Sequence, residues 1–286
     1  MTKTVVNFTK MQGLGNDFII LDLAEFKKIE NNIDTVIPKI CNRNFGIGAD
    51  GVIVVNDKEN ESDTDIAWYF YNSDGSIAQM CGNGMRCFAR YIYDKGILNK
   101  KKSFSVSTKA GVIVPEIISD SLVKVNMGKP VLDSKKIPFT PEDNLNYEIE
   151  LWSKKFILNA VSMGNPHCVI FTDEDTKTLA KDYGSDIELS DLFPEKTNVE
   201  FVKIISKEEI ILDVWERGCG ITLACGTGAC ASVVAGILNG LLSNKVLVHL
   251  PGGDLSIEWN GSISDPSYDV FMQGPAEYSF IGSFEA

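Results

Sequence analysis

Two cysteines in this chain share one short setting. Cys81-Gly82-Asn83-Gly84 and Cys225-Gly226-Thr227-Gly228 both read C-G-x-G, about half of the 286 residues apart. A helical pattern follows each. Met85, Phe88, Ala89 and Ile92 recur at i, i+3, i+4 and i+7, and residues 227–238 are apolar on nearly every face. A cysteine just ahead of a helix lies where backbone N–H groups point outward, a field that favours the thiolate. The glycines let a ligand come close to the backbone, and the same helix start suits a carboxylate. One such site is a nucleophile or an anion cradle. Two of them make a base and an acid on opposite sides of one carbon. A thiolate removes a proton from one face, a thiol delivers one to the other, and a stereocentre inverts. A single base would return the proton to the face it left. The α-proton of an amino acid is very weakly acidic. The site must therefore stabilise charge developing on the carboxylate and keep water from the thiolate.

The elements that must position these cysteines show the same duplication. Gly96 and Gly240 stand at matching distances beyond the two motifs, each followed by two aliphatic residues, and Gly15-Asn16 resembles Gly164-Asn165. Two halves built on one strand–loop–helix device are expected, facing each other as duplicated domains. Runs rich in Val, Ile, Phe and Trp predict strands at 5–11, 18–23, 51–55, 66–71, 111–118 and 122–127 in the first half. In the second half they fall at 155–161, 168–171, 199–205, 210–216, 245–250, 255–259 and 269–273. Weaker helices are expected near 32–42 and 173–183. The polar stretch 133–146, with Pro138 and Pro141, reads as a surface loop or linker.

Composition narrows the function classes. Hydrophobic residues make up 44% and charged ones 23%, which is ordinary for a chain with a sizeable core. The net charge of −12 repels phosphate backbones and anionic membranes, so neither nucleic acid nor a membrane is an expected partner. No apolar run is long enough to span a bilayer, and the first residues lack the apolar core of a signal peptide. The chain reads as cytoplasmic, with its 7 cysteines as free thiols. No C-x-x-C pair occurs and only two histidines, His167 and His249, are present, so no metal site is expected. A Schiff-base lysine in a phosphate-binding setting is not apparent either, and no cofactor is expected.

Taken together, the motifs resemble the diaminopimelate epimerase family, cofactor-independent isomerases of lysine and peptidoglycan precursor synthesis. The matching segments are Met11-Gln12-Gly13-Leu14-Gly15-Asn16-Asp17-Phe18, Asn72-Ser73-Asp74-Gly75-Ser76 and Cys81-Gly82-Asn83-Gly84-Met85-Arg86-Cys87. Gly164-Asn165-Pro166-His167-Cys168, Thr197-Asn198-Val199-Glu200-Phe201 and Glu216-Arg217-Gly218-Cys219-Gly220 follow, and then Thr222 to Ala229 around Cys225. The resemblance implies that Cys81 and Cys225 are the acid–base pair, epimerising LL- to meso-diaminopimelate. It implies substrate contacts from Asn16, Asn72, Asn165, Asn198, Glu216 and Arg217, the last as a bidentate carboxylate fork. Gly82-Asn83 and Gly226-Thr227 would be backbone cradles, and His167 and Glu216 would tune the thiols. It further implies an α+β fold of two pseudo-symmetric domains, each a curled mixed sheet or barrel around a central helix. The first would hold residues 1–127 with 274–286 and the second 128–273, in a homodimer. Three departures stand out. Gly51 stands where some members of that family carry a substrate-contacting glutamine, Ala78-Gln79-Met80 replaces the motif's usual acidic residue before Cys81, and Cys219 is an additional thiol.

Other residues have plainer readings. Cys41, Cys87, Cys168 and Cys230 read as packed thiols and His249 as structural, while Arg86 and Arg90 read as salt-bridged or surface groups. Rival functions are a proline or hydroxyproline racemase, which also uses paired cysteines, and a ligand-binding or thiol-redox sensor protein. Arg217 and the asparagines favour a substrate that is polar at both ends.

Overall fold

The computed structural model describes residues 4–57, 63–78 and 80–286. Gln79, in the segment Ala78-Gln79-Met80 before Cys81, lies outside them. The chain divides into two compact units, Met1–Val125 with Gly274–Ala286, and Asn126–Gln273. Each is a mixed open sheet with helices on its faces, so the class is α+β.

In the first unit seven strands run in the order Glu277–Glu285, Val5–Gly13, Asn16–Asp22, Gly51–Asn56, Ile66–Asn72, Val106–Thr108, Gly111–Ile113. Two of these pairings are parallel, Asn16–Asp22 with Gly51–Asn56 and Ile66–Asn72 with Val106–Thr108. A parallel pairing needs a crossover, and helices supply it. The first crossover carries helix Ile33–Cys41, the second helix Gly82–Lys95. The second unit repeats this plan. Pro166–Phe171 pairs parallel with Asn198–Ser206 across helix Thr176–Glu188, and Glu209–Glu216 pairs parallel with Lys245–Leu250 across helix Gly226–Leu238. Both C-G-x-G helices are thus the second crossover of their sheet.

Strand periodicity then sorts the faces. In the first unit Ile19, Leu21, Val52 and Val54 pack with Ile37 and Ile40 of helix Ile33–Cys41. Phe18 and Ile53 point the other way, toward Gly84 of helix Gly82–Lys95. Covered on both faces, strand Gly51–Asn56 is buried at every position. In the second unit Cys168, Ile170, Val199 and Phe201 pack with Leu179, Ala180 and Ile187. The alternate residues of the same two strands, His167, Asn198 and Glu200 among them, lie on the face toward helix Gly226–Leu238. Both helices end alike. Gly96 and Gly240 take φ of +69° and +70°, and each donates its N–H back into the last turn. Nothing crowds a Cβ at either, so the left-handed backbone alone calls for glycine.

The sequence reading differs from the structure in a few places. Strands Glu277–Glu285 and Tyr147–Leu151 were not among those expected. The run 111–118 is two strands, Gly111–Ile113 and Pro115–Ile117, which pair with different neighbours. Residues 133–146 hold no helix and no strand, but Ile137 and Phe139 within them are buried, Phe139 against Phe193 and Tyr147. Arg86 is not a surface group: it is fully buried and donates from Nε to the Pro275 carbonyl, 3.0 Å. Among the described residues no helix is long and apolar enough to cross a membrane.

Candidate active site

Cys81 is the N-cap of helix Gly82–Lys95, in extended backbone, and its sulfur accepts the Gly84 N–H at 3.4 Å. The thiol donates to Asn16 Oδ1 at 3.6 Å, and Asn83 Nδ2 donates to the same oxygen at 3.1 Å. Both amides are fixed from behind. Asn16 Nδ2 donates to Asp50 Oδ2 at 2.7 Å, and Arg86 donates to Asn83 Oδ1 at 2.9 Å. Asp50 is held in turn by Arg43, which also bridges to Asp17. Burial pushes the Asp17 carboxyl up, but Arg43 and Lys10 outweigh it and hold it below the usual carboxylate range. An aspartate–arginine frame therefore aims an amide oxygen at the half-buried thiol of Cys81. Asn72 lies farther out, exposed, its amide donating to Ser76 Oγ at 2.9 Å within the turn. Gly51 pairs with Asn72, and a Cβ there would stand 2.6 Å from the Tyr71 carbonyl oxygen. A side chain at position 51 would therefore press on the neighbouring strand.

Cys225 caps helix Gly226–Leu238 in similar backbone but is buried. Its sulfur lies 3.6 Å from Thr227 Oγ1. His167 and Glu200 stand beside it with Nδ1 and Oε1 2.7 Å apart, both side chains at 0% exposure. His167 Nε2 lies 3.0 Å from Asn165 Oδ1. Donor atoms of His167, Glu200 and Cys225 fall within 4.8 Å of one another. Such a trio has the donors to hold a metal ion. Here both ring nitrogens of His167 already have partners, an arrangement suited to holding and passing protons. Glu216 Oε1 accepts from Thr222 Oγ1 at 2.5 Å, and burial pushes its carboxyl up. Burial pushes the Cys225 thiol well up as well. The charges of Glu216 and Glu200 add to the rise, and hydrogen bonds from Thr227 and the Gly228 backbone oppose it.

The structure thus brings Asn165, His167, Glu216, Gly226 and Thr227 around Cys225, and Asn16, Gly82 and Asn83 around Cys81. Asn198 is buried and spends its amide on the scaffold. Its Nδ2 donates to the Pro166 carbonyl at 2.8 Å, and its Oδ1 accepts the Arg217 N–H at 3.0 Å. Arg217 itself is exposed, its guanidinium donating to the Glu195 carbonyl. Three residues were missed by the sequence reading: Asp50, Arg86 and Glu200. Glu200 had a signal, since it interrupts the apolar run Val199 to Val202 and shares the strand face of Asn198. Nothing in the local sequence marks that Asp50 reaches Asn16 or that Arg86 reaches the Pro275 carbonyl, because those partners lie 34 and 189 residues away.

Two mixed sheets, each with crossover helices, define a class of fold seen in solved epimerases and isomerases. A hydroxyproline epimerase from Agrobacterium vitis matches with a TM-score of 0.70 at 12% identity, over 100% of this chain and 92% of that one. A PhzF-family phenazine biosynthesis protein from Bacillus anthracis matches at 0.68 and 13%, over 99% of both. Sequence is more specific. The family model for diaminopimelate epimerase matches residues 8–132 and 159–279. The diaminopimelate epimerase of Halothermothrix orenii is 49% identical over 285 residues, covering 97% of each chain. That of Carboxydothermus hydrogenoformans is 47% identical over 281 residues, 98% of this chain and 99% of its own. The chain belongs to the diaminopimelate epimerase family.

Proposed function

We propose that this protein is an isomerase that interconverts LL- and meso-diaminopimelate in lysine and peptidoglycan precursor biosynthesis, without a cofactor, by proton transfer between two thiols and the α-carbon. The observation that carries the reading is the placement of Cys81 and Cys225, each the N-cap of an equivalent crossover helix in a chain of this family. Their surroundings divide the labour. Negative charge is costly on Cys225, which is buried beside Glu216 and Glu200, so Cys225 is the protonated partner at rest. Cys81 is the base: as a thiolate its sulfur keeps the Gly84 N–H as a donor at the helix start, while the S–H to Asn16 Oδ1 contact belongs to its protonated form. Asn16, Asn83 and Asn165 offer amide groups for the substrate's ammonium and carboxylate. Backbone N–H groups at Gly82-Asn83 and Gly226-Thr227 stabilise charge building on the carboxylate as the α-proton leaves. Arg217 grips a carboxylate, with Asn198 fixing its backbone. Asn72 and Glu216 complete the substrate contacts, and His167 and Glu216 set the proton affinity of Cys225.

The seven cysteines are free, which suits a cytoplasmic chain. A homodimer is part of the same reading. Edge strand Glu277–Glu285 exposes Tyr278, Phe280 and Ile281, a surface a second copy would cover. Sedimentation would show a monomer if this is wrong. For the activity, incubation with LL-diaminopimelate in deuterated water should place label at one α-carbon with inversion. No label, or faster exchange with proline than with diaminopimelate, would overturn the assignment.

A further inference from the structure

Glu200 is placed more deeply than a thiol-tuning group requires. Neither it nor His167 is exposed, and its Oε2 atom, also buried, has no hydrogen-bond partner. A buried carboxylate with an orphan oxygen is costly unless the group holds or shares a proton. Burial holds the Glu200 carboxyl above its ordinary range, with His167 pulling the other way. Pair and sulfur are close, within 4.8 Å among their donor atoms. Gly228 keeps that approach open, because a Cβ there would stand 2.6 Å from Glu200 Oε1 and 3.2 Å from Cys225 Sγ.

Two-thiol epimerisation leaves the enzyme in a changed protonation state. When Cys225 donates its proton to the α-carbon it becomes a thiolate, and Cys81 has become a thiol. The same isomer cannot be turned over again until Cys225 regains a proton and Cys81 loses one. A thiolate at Cys225 is buried against two carboxyl groups, so its charge is costly and a proton held beside it shortens its life.

We infer that the Glu200–His167 pair is the proton donor that resets Cys225 between turnovers. The proton held by the pair moves to Sγ. An S–H bond forms and the O–H or N–H bond breaks, leaving a Glu200 carboxylate beside neutral His167. The pair then regains a proton from solvent as Cys81 releases one, so protons and charge balance over the cycle. Glu200 is here a positioning, proton-holding residue that does not touch substrate. The inference rests on reading Cys81 and Cys225 as the acid–base pair.

Glu200→Gln in the full-length enzyme tests it. Glutamine keeps the shape but stores no proton. With a slow reset, kcat should fall about 100-fold while kcat/KM falls no more than about threefold, since at low substrate the free enzyme has time to re-equilibrate. A small weak acid such as imidazolium, added at increasing concentration, should restore kcat by protonating Cys225 directly. His167→Gln should lower kcat comparably and respond to the same added acid, and the double variant should be no slower than the slower single one. It also carries the test should Glu200→Gln fail to fold. Equal losses in kcat and kcat/KM, unchanged kinetics, or no response to the added acid would overturn the inference. Failure of the underlying reading is separate: it would appear as full turnover in Cys225→Ala.

Discussion

The two cysteine-capped helices are alike in backbone and unlike in chemistry. Each is the second crossover of its sheet, each begins at a C-G-x-G, and each ends at a left-handed glycine. Around Cys81 the neighbours are amides fixed by an aspartate–arginine frame. Around Cys225 they are two carboxyl groups and a histidine in a dry setting. Even the helices differ. The first keeps Arg90, Asp94 and Lys95 on a polar side, whereas the second has no charged residue. Duplication supplies two equivalent places for a sulfur. The residues around each place decide whether it holds a proton or gives one up.

The severest test of this comparison removes each sulfur in turn. Cys81→Ala and Cys225→Ala should each lower epimerisation at least about 1,000-fold, as expected for loss of a general acid or base. Circular dichroism should remain native, and near-normal turnover in either variant would end the two-thiol reading.

A sharper test uses the second glycine of each motif. At Gly228 a Cβ would meet Glu200 Oε1 at 2.6 Å, whereas at Gly84 the nearest atom is the Ile53 Cδ1 methyl at 3.2 Å. A methyl carbon at the end of a side chain gives way more easily than a carboxylate locked to histidine. Gly228→Ala should therefore cost about 1–3 kcal/mol of stability and most activity, and Gly84→Ala clearly less. Urea melts of the two variants with matched losses would erase the difference.

Reactivity gives a smaller effect. In a Cys219→Ser background, which removes the exposed thiol, iodoacetamide should label Cys81 before Cys225. Each unit by which burial and carboxylates raise the Cys225 thiol cuts its thiolate about tenfold at a given pH. Peptide mapping at short times that finds Cys225 modified first would reverse the assignment of resting charge.

The smallest effect concerns Cys87, inside the first helix and fully buried. Burial pushes its thiol up to about 12. The folded-state value is raised, so its contribution to stability is present below the unfolded value and is lost as pH rises toward 12. Cys87→Ala should leave kcat unchanged and cost about 1 kcal/mol near neutrality. It should also make denaturant midpoints fall less steeply between pH 9 and 12. An identical slope would show that Cys87 does not feel its burial.

Much of this was legible because it was local. The C-G-x-G repeat gave both helix starts, the matching glycines gave both helix ends, and alternating apolar runs gave most strands. His167 was legible through Gly-Asn-Pro-His and Glu216 through its motif. Strand Glu277–Glu285 was not, since Tyr278, Phe280 and Ile281 are exposed and Glu277, Ser279 and Ser283 weaken any buried pattern. Arg86 was misread because a helical arginine is normally a surface group. Here its partner is the Pro275 carbonyl, which only the return of the chain end brings near.

By itself the sequence determined the backbone setting of both cysteines, because caps, glycines and strand periodicity act over a few residues. Only the tertiary structure decided what each sulfur feels. Asp50 behind Asn16, Arg86 on the Pro275 carbonyl, and Glu200 against His167 are contacts between residues far apart in the chain. Burial and charge act through space, so the proton affinity of a thiol is set by neighbours that no local pattern names.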